Sequence, residues 1–151
     1  VSTVPYRHLL VPCDGSERSQ RAVTQAVALA LALGSRLTVL HVQRAPTLPM
    51  PGMGERLDPA TLQALTRAAR EEAERILARA LATAGDAGVP AEAERIEAES
   101  PHRAILESAA RLGCDLIVMA SHGRRGLRGV LLGSETQRVL VEARVPVLVV
   151  R

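Results

Sequence analysis

Leu116 to Thr136 reads LIVMASHGRRGLRGVLLGSET and concentrates the residues of this chain that could do chemistry. Gly123, Gly126 and Gly129 recur every three residues, and Gly133-Ser134 stands where a helical pattern begins. Small residues let backbone N–H groups turn inward, and a helix start adds free N–H groups and the positive end of a dipole. An apolar run, a glycine loop and a helix N-terminus together make a phosphate cradle. His122, inside the loop, is a candidate phosphate or nucleotide contact, and Arg124, Arg125 and Arg128 add a basic cluster. The chemistry expected is anion binding. A Walker loop does not fit, because the chain has no lysine, and evenly spaced glycines do not match G-x-G-x-x-G.

A second group lies near the N-terminal end, where HLLVPC leads into Asp14-Gly15-Ser16. An ionised Asp14 only accepts hydrogen bonds, so it could hold a ribose hydroxyl or a water on Mg²⁺. It could equally satisfy the turn or cap the first helix. Ser134 is likewise either an N-cap or a donor to a ligand. Cys13 and Cys114 adjoin apolar runs and read as packing thiols. His8, His41, His102 and His122 show no ligand spacing, so no metal site is expected. No general base, paired metal carboxylates or γ-phosphate lysine is evident, so any hydrolysis should be slow and binding is the better description.

The elements that must position these residues follow from hydrophobic period. His8 to Cys13 and Leu37 to Val42 are short apolar runs, consistent with strands buried on both faces. Between them Val23, Ala26, Val27, Ala30 and Leu31 mark one face of a helix closed by Gly34. Arg44 to Arg56 holds three prolines and no period, so it reads as a loop. Asp58-Pro59 starts a long helix with Leu62, Leu65, Ala69, Ala73, Ile76, Ala80 and Ala84 inward. Ala91 to Ala98 is a half-exposed edge strand, and Ser100-Pro101 opens a helix that ends at Gly113. Leu116 to Met119, Ser134 to Ala143 and Val145 to Val150 supply the fourth strand, fourth helix and fifth strand. Strands alternating with helices predict one α/β domain over residues 1–151, an open parallel sheet covered on both faces.

Bulk properties narrow the function classes. A chain of 151 residues suits one core, and no apolar run reaches the roughly 18 residues of a membrane span. The two cysteines are not a disulfide framework and no leader pattern opens the sequence, so a cytoplasmic setting is expected and no membrane partner. Net charge is +3, but the arginines are interleaved with acids and Tyr6 is the lone aromatic, so nucleic acid is not an expected partner. The last strand is almost wholly apolar.

SHGRRGLRGVLLGSETQRVLVEARVPVLVVR resembles the C-terminal signature of the universal stress protein family, and HLLVPCDGSERSQRAV and the element order extend the likeness over nearly the whole chain. The pattern is glycine, two residues, glycine, nine residues, glycine, then serine or threonine. Gly123, Gly133 and Ser134 fall in register, and Ala120 stands at the first glycine. The resemblance implies strand order 3-2-1-4-5, a Rossmann-like, adenine nucleotide alpha hydrolase-like fold, and binding of an adenine nucleotide. ATP, with or without Mg²⁺, is the first expectation, and AMP or cyclic AMP are the alternatives. It further implies that Pro12, Cys13 and Asp14 approach the ribose and base side, that Val42 accepts adenine, and that Met119 and Ala120 flank the sugar. Gly123, Gly133, Ser134, Glu135 and Thr136 would hold the phosphates, largely through backbone amides. Glu135, acidic at that end, must point away or meet a cation. A stress-signalling homodimer joined through Val145 to Val150 is implied, with a protein partner that the sequence does not name. The rival reading is a dimeric interaction module of the same family that binds no nucleotide.

Overall fold

The computed structural model describes residues 5–45, 58–122 and 132–151. Elements alternate in the order β1 (His8–Pro12), α1 (Glu17–Leu33), β2 (Arg36–Gln43), α2 (Pro59–Asp86), β3 (Ala91–Glu97), α3 (Pro101–Leu112), β4 (Leu116–Ala120), α4 (Ser134–Glu142) and β5 (Val147–Val150). The strands form one sheet in the order β3-β2-β1-β4-β5. All its pairings are parallel. This is the expected open α/β fold, with the expected strand order.

Side-chain alternation along the central strands builds two cores. Leu9, Val11, Leu37, Val39, Leu116 and Val118 face α1 and α2. Leu10, Leu40, Ile117 and Met119 face α3 and α4. That two-sided burial is why the strands are continuous apolar runs with no polar face. Each helix opens and closes on recognisable chemistry. Ser16 accepts the N–H of Ser19 at the start of α1, and Asp58 does the same for Thr61 in α2. Gly34 and Gly113 end α1 and α3 in the left-handed conformation, at φ 68° and 67°.

Three expectations shift. Leu31 is 59% exposed. The buried face of α1 is centred on Ala22, Ala26 and Ala30, and at about 100° per residue Leu31 falls past its edge. Leu65 is 45% exposed, and burial along α2 starts at Ala73. A helix of 28 residues is roughly 42 Å long, whereas the 8-residue β2 spans roughly 26 Å. The first turns of α2 therefore outrun the sheet. The last strand begins at Val147, not Val145, because Pro146 has no N–H to give a ladder. Its carbonyl still accepts the N–H of Ile117 at 3.0 Å.

Candidate functional site

β1 and β4 are neighbours at the centre of the sheet, and the chain leaves them toward opposite edges. Their C-terminal ends therefore border a crevice, the place where open α/β sheets bind ligands. Pro12 closes β1 opposite Leu40, and the N–H of Cys13 continues the ladder to the Leu40 carbonyl at 2.8 Å. The Cys13 carbonyl lies 2.8 Å from His41 Nδ1. A carbonyl only accepts, so that ring nitrogen carries the proton. Asp14 accepts the N–H of Ser16 at 2.9 Å, and Gly15 supplies the positive φ of 84° that this turn needs. The turn-forming role of Asp14 is thus present, and its side chain is half-buried at the crevice.

The β4 side is tied down more tightly. Ala120 pairs with Val150 inside the strand and is 8% exposed. Strand backbone is extended, so alanine at this position of the motif carries no left-handed strain. Its carbonyl accepts the buried Thr136 hydroxyl at 2.9 Å. Thr136 therefore commits its side chain to β4, leaving its main chain for any ligand. Ser121 donates its N–H to Val150 at 2.8 Å and accepts that of Gly133 at 2.7 Å. These bonds bring the start of α4 to the end of β4. Gly123, with the three arginines of the same loop, lies outside the described residues.

The cap of α4 falls on Gly133, not on Ser134, with φ −68° and ψ 155° and no side-chain cap. Glycine has no side chain with which to satisfy the first-turn N–H groups, and Ser134 is the first helical residue and exposed. Glu135 turns sideways. Its Oε2 accepts the backbone N–H of His102 at 2.8 Å and lies 3.1 Å from His102 Nδ1. Its Oε1 lies 3.3 Å from Arg138 and 3.9 Å from Arg44. His102 was not legible as a site residue, because its partner stands 33 positions away and no local pattern joins them.

Val42 is half-buried near the end of β2, and Met119 is buried toward α3 and α4. His122 is 7% exposed, with Nδ1 3.2 Å from Ser121 Oγ and Nε2 lacking a hydrogen-bond partner among the described residues. Cys13 and Cys114 are buried free thiols. Burial raises both pKa values, that of Cys114 to about 11, so neither is poised as a nucleophile. Among the described residues no three His, Cys, Asp or Glu side chains are grouped to hold a metal. No described helix is long and apolar enough to cross a membrane.

A doubly covered parallel sheet, with a turn aspartate and a glycine-capped helix start at its central switch point, defines an α/β protein with a crevice at the C-terminal ends of β1 and β4. Comparison with known proteins then narrows the class. The universal stress protein family model matches residues 5–151. A universal stress protein of Thermus aquaticus, encoded in the QAH/OAS sulfhydrylase 3′ region, is 38% identical over 147 residues, covering 97% of this chain and 99% of the relative. The solved structure of MJ0577 superposes with a TM-score of 0.78 at 28% identity, covering 97% of this chain and 96% of that one. A universal stress protein solved in complex with cyclic AMP gives a TM-score of 0.70 at 27% identity, covering 97% and 98%. The chain belongs to the universal stress protein family.

Proposed function

We propose that the protein binds an adenine nucleotide in the crevice between the ends of β1 and β4, with ATP and its Mg²⁺ the first candidate and AMP or cyclic AMP the alternatives. The observation that carries this reading is the glycine-capped start of α4, held against β4 through Gly133 and Thr136 with no side chain among the described residues capping its amides. Such amides are matched by a phosphate, and hydrogen bonds to a charged group contribute roughly 1.5–3 kcal/mol each. Ser134, Glu135 and Thr136 would offer backbone N–H groups to the phosphates, together with Gly123, while Gly133, whose own N–H is given to the Ser121 carbonyl, would leave room for the phosphates to approach the helix start. Asp14, Pro12 and Cys13 would border the ribose, Met119 and Ala120 the sugar, and Val42 the base. The Nε2 of His122, which has no hydrogen-bond partner among the described residues, is a further group for the phosphate end. A universal stress protein of this fold, solved in complex with cyclic AMP, supports an adenine nucleotide as the class of ligand.

The protein would act as a nucleotide-responsive homodimer in the cytoplasm. Leu148 on β5 is 43% exposed, and Leu140 and Val141 at the end of α4 are 40% and 84% exposed. Two copies pairing their β5 edges would cover this surface. The same apolar surface is what favours the second reading, a dimeric module that assembles without nucleotide.

Calorimetric titration of nucleotide-free protein with Mg-ATP, AMP and cyclic AMP separates these readings. Micromolar binding that falls at least tenfold in Asp14→Ala or Gly133→Val supports the crevice, tenfold being about 1.4 kcal/mol. Tighter binding of AMP or cyclic AMP keeps the site and changes the signal sensed. No heat with any of the three up to millimolar would leave the interaction module.

A further inference from the structure

We propose that His102 sets the anion affinity of the α4 N-terminus through Glu135, so that protonating His102 strengthens binding of the phosphate end of a nucleotide. This rests on the nucleotide reading above and adds a specificity-determining pair to it. Glu135 is the second residue of α4, in the turn whose amides would meet the phosphate. A carboxylate there suits the helix dipole but repels an anion at the same amides. How far its charge is cancelled therefore decides how well the crevice takes a phosphate.

His102 is the partner best shielded from water. Its side chain is 11% exposed, whereas those of Arg44 and Arg138 are 48% and 57% exposed, where solvent screens an ion pair. The carboxylate accepts from His102 N–H and Nδ1, so Nδ1 carries a proton in either ring state. Ser100 Oγ lies 3.2 Å from the same nitrogen. On the other edge of the ring, Nε2 lies 3.7 Å from Glu142 Oε1. Among the described residues the charged groups facing the ring are thus Glu135 and Glu142, both from α4, while Arg44 and Arg138 approach Glu135 from its other oxygen. A proton on Nε2 would place an imidazolium between two α4 carboxylates and cancel charge at the helix start. The buried Nε2 of His122, without a hydrogen-bond partner among the described residues, stands at that same end, next to the serine whose carbonyl holds Gly133.

Cyclic AMP is the probe of choice, since its phosphodiester charge is constant while histidines titrate. Its affinity for the whole chain, measured by calorimetry at about pH 6 and about pH 8, spans the range in which histidine side chains change charge. Wild type is expected to bind about fivefold tighter at the lower pH, the lower end of usual coupling factors. Glu135→Gln keeps an oxygen for the His102 N–H but loses the charge. It is expected to bind about fivefold tighter than wild type at about pH 8 and to lose most of the pH dependence. His102→Asn keeps a donor and cannot titrate, so it should hold the weak affinity at both pH values. Weaker binding by Glu135→Gln at both pH values, or an unchanged slope in His102→Asn, would mean a merely structural brace and overturn the proposal. Amide NMR shifts of Ser134, Glu135 and Thr136, followed with pH and without ligand, provide a readout independent of nucleotide. They should titrate in wild type and not in His102→Asn. If wild type binds no nucleotide the functional reading falls, and the NMR titration still decides whether His102 reaches α4; no titrating shift in wild type overturns the inference alone.

Discussion

His8 shows how one buried side chain makes stability depend on pH. It is 5% exposed, its Nε2 lies 2.8 Å from Thr38 Oγ1, and its Nδ1 has no hydrogen-bond partner among the described residues. Burial first, and the nearby Arg36 second, lower its pKa from 6.5. The folded state therefore holds fewer protons than the unfolded chain just below that value, and stability falls as pH drops from about 6.5 toward the folded pKa. Asp115 acts in a lower window. Burial opposes its charge, but N–H donation from Arg7 at 2.9 Å and His8 at 3.0 Å outweighs this and holds its carboxyl below 3.8. Its contribution is present above about pH 4 and lost as pH falls through its folded value. Urea unfolding across pH should show both declines in wild type. His8→Gln should flatten the upper one alone; an unaltered difference in stability between about pH 5 and about pH 7 would assign that slope elsewhere.

At the scale of elements, helix ends govern where the crevice residues arrive. α1 begins one residue after Ser16, so the turn from Asp14 to Ser16 joins β1 to the helix without slack. α1 ends at Gly34, whose N–H reaches the Ala30 and Leu31 carbonyls. A Cβ built on Gly34 meets nothing within 4 Å, so any cost of substitution is one of backbone conformation at φ +68°. Gly34→Ala is expected to destabilise by about 1 kcal/mol, and Gly34→Asn by less, because asparagine tolerates the left-handed region. Chemical denaturation of the two variants checks the order. Equal losses would point to a packing role that the open space around Gly34 does not suggest.

At the scale of the whole molecule, the two edges of the sheet are unlike. β3 presents Glu92, Arg95 and Glu97 exposed, and Glu94 pairs with Arg111 of α3. Charge on an edge discourages further pairing. β5 carries four apolar residues, with Leu148 turned outward. Sedimentation equilibrium of the wild type is expected to return twice the 16.1 kDa chain mass, and Leu148→Arg to shift it to monomer. A wild-type monomer at high micromolar concentration would remove β5 as an assembly edge. Calorimetry on Leu148→Arg shows whether the crevice works in a single copy.

The order of elements, the buried strands and the helix stops were legible from residues, because period, glycine and proline act locally. Short apolar runs between helical patterns sufficed for β1, β2 and β4, and Ser16, Asp58, Gly34 and Gly113 stand at helix ends by their own chemistry. The crevice was legible in outline, since Asp14 and Gly133 are both turn-type residues at strand or helix ends. Tertiary structure decided what depends on distance through space. Leu62, Leu65 and Ala69 carry the same helical period as the core residues of α2, yet only the sheet's length determines that burial starts at Ala73. Ala120 departs from the family motif in sequence, and its place inside β4 makes the departure conformationally neutral. Glu135 and His102 are unremarkable as letters. Their meeting is created by α3 and α4 packing side by side on one face of the sheet, and a contact across 33 positions leaves no periodic trace in a single chain.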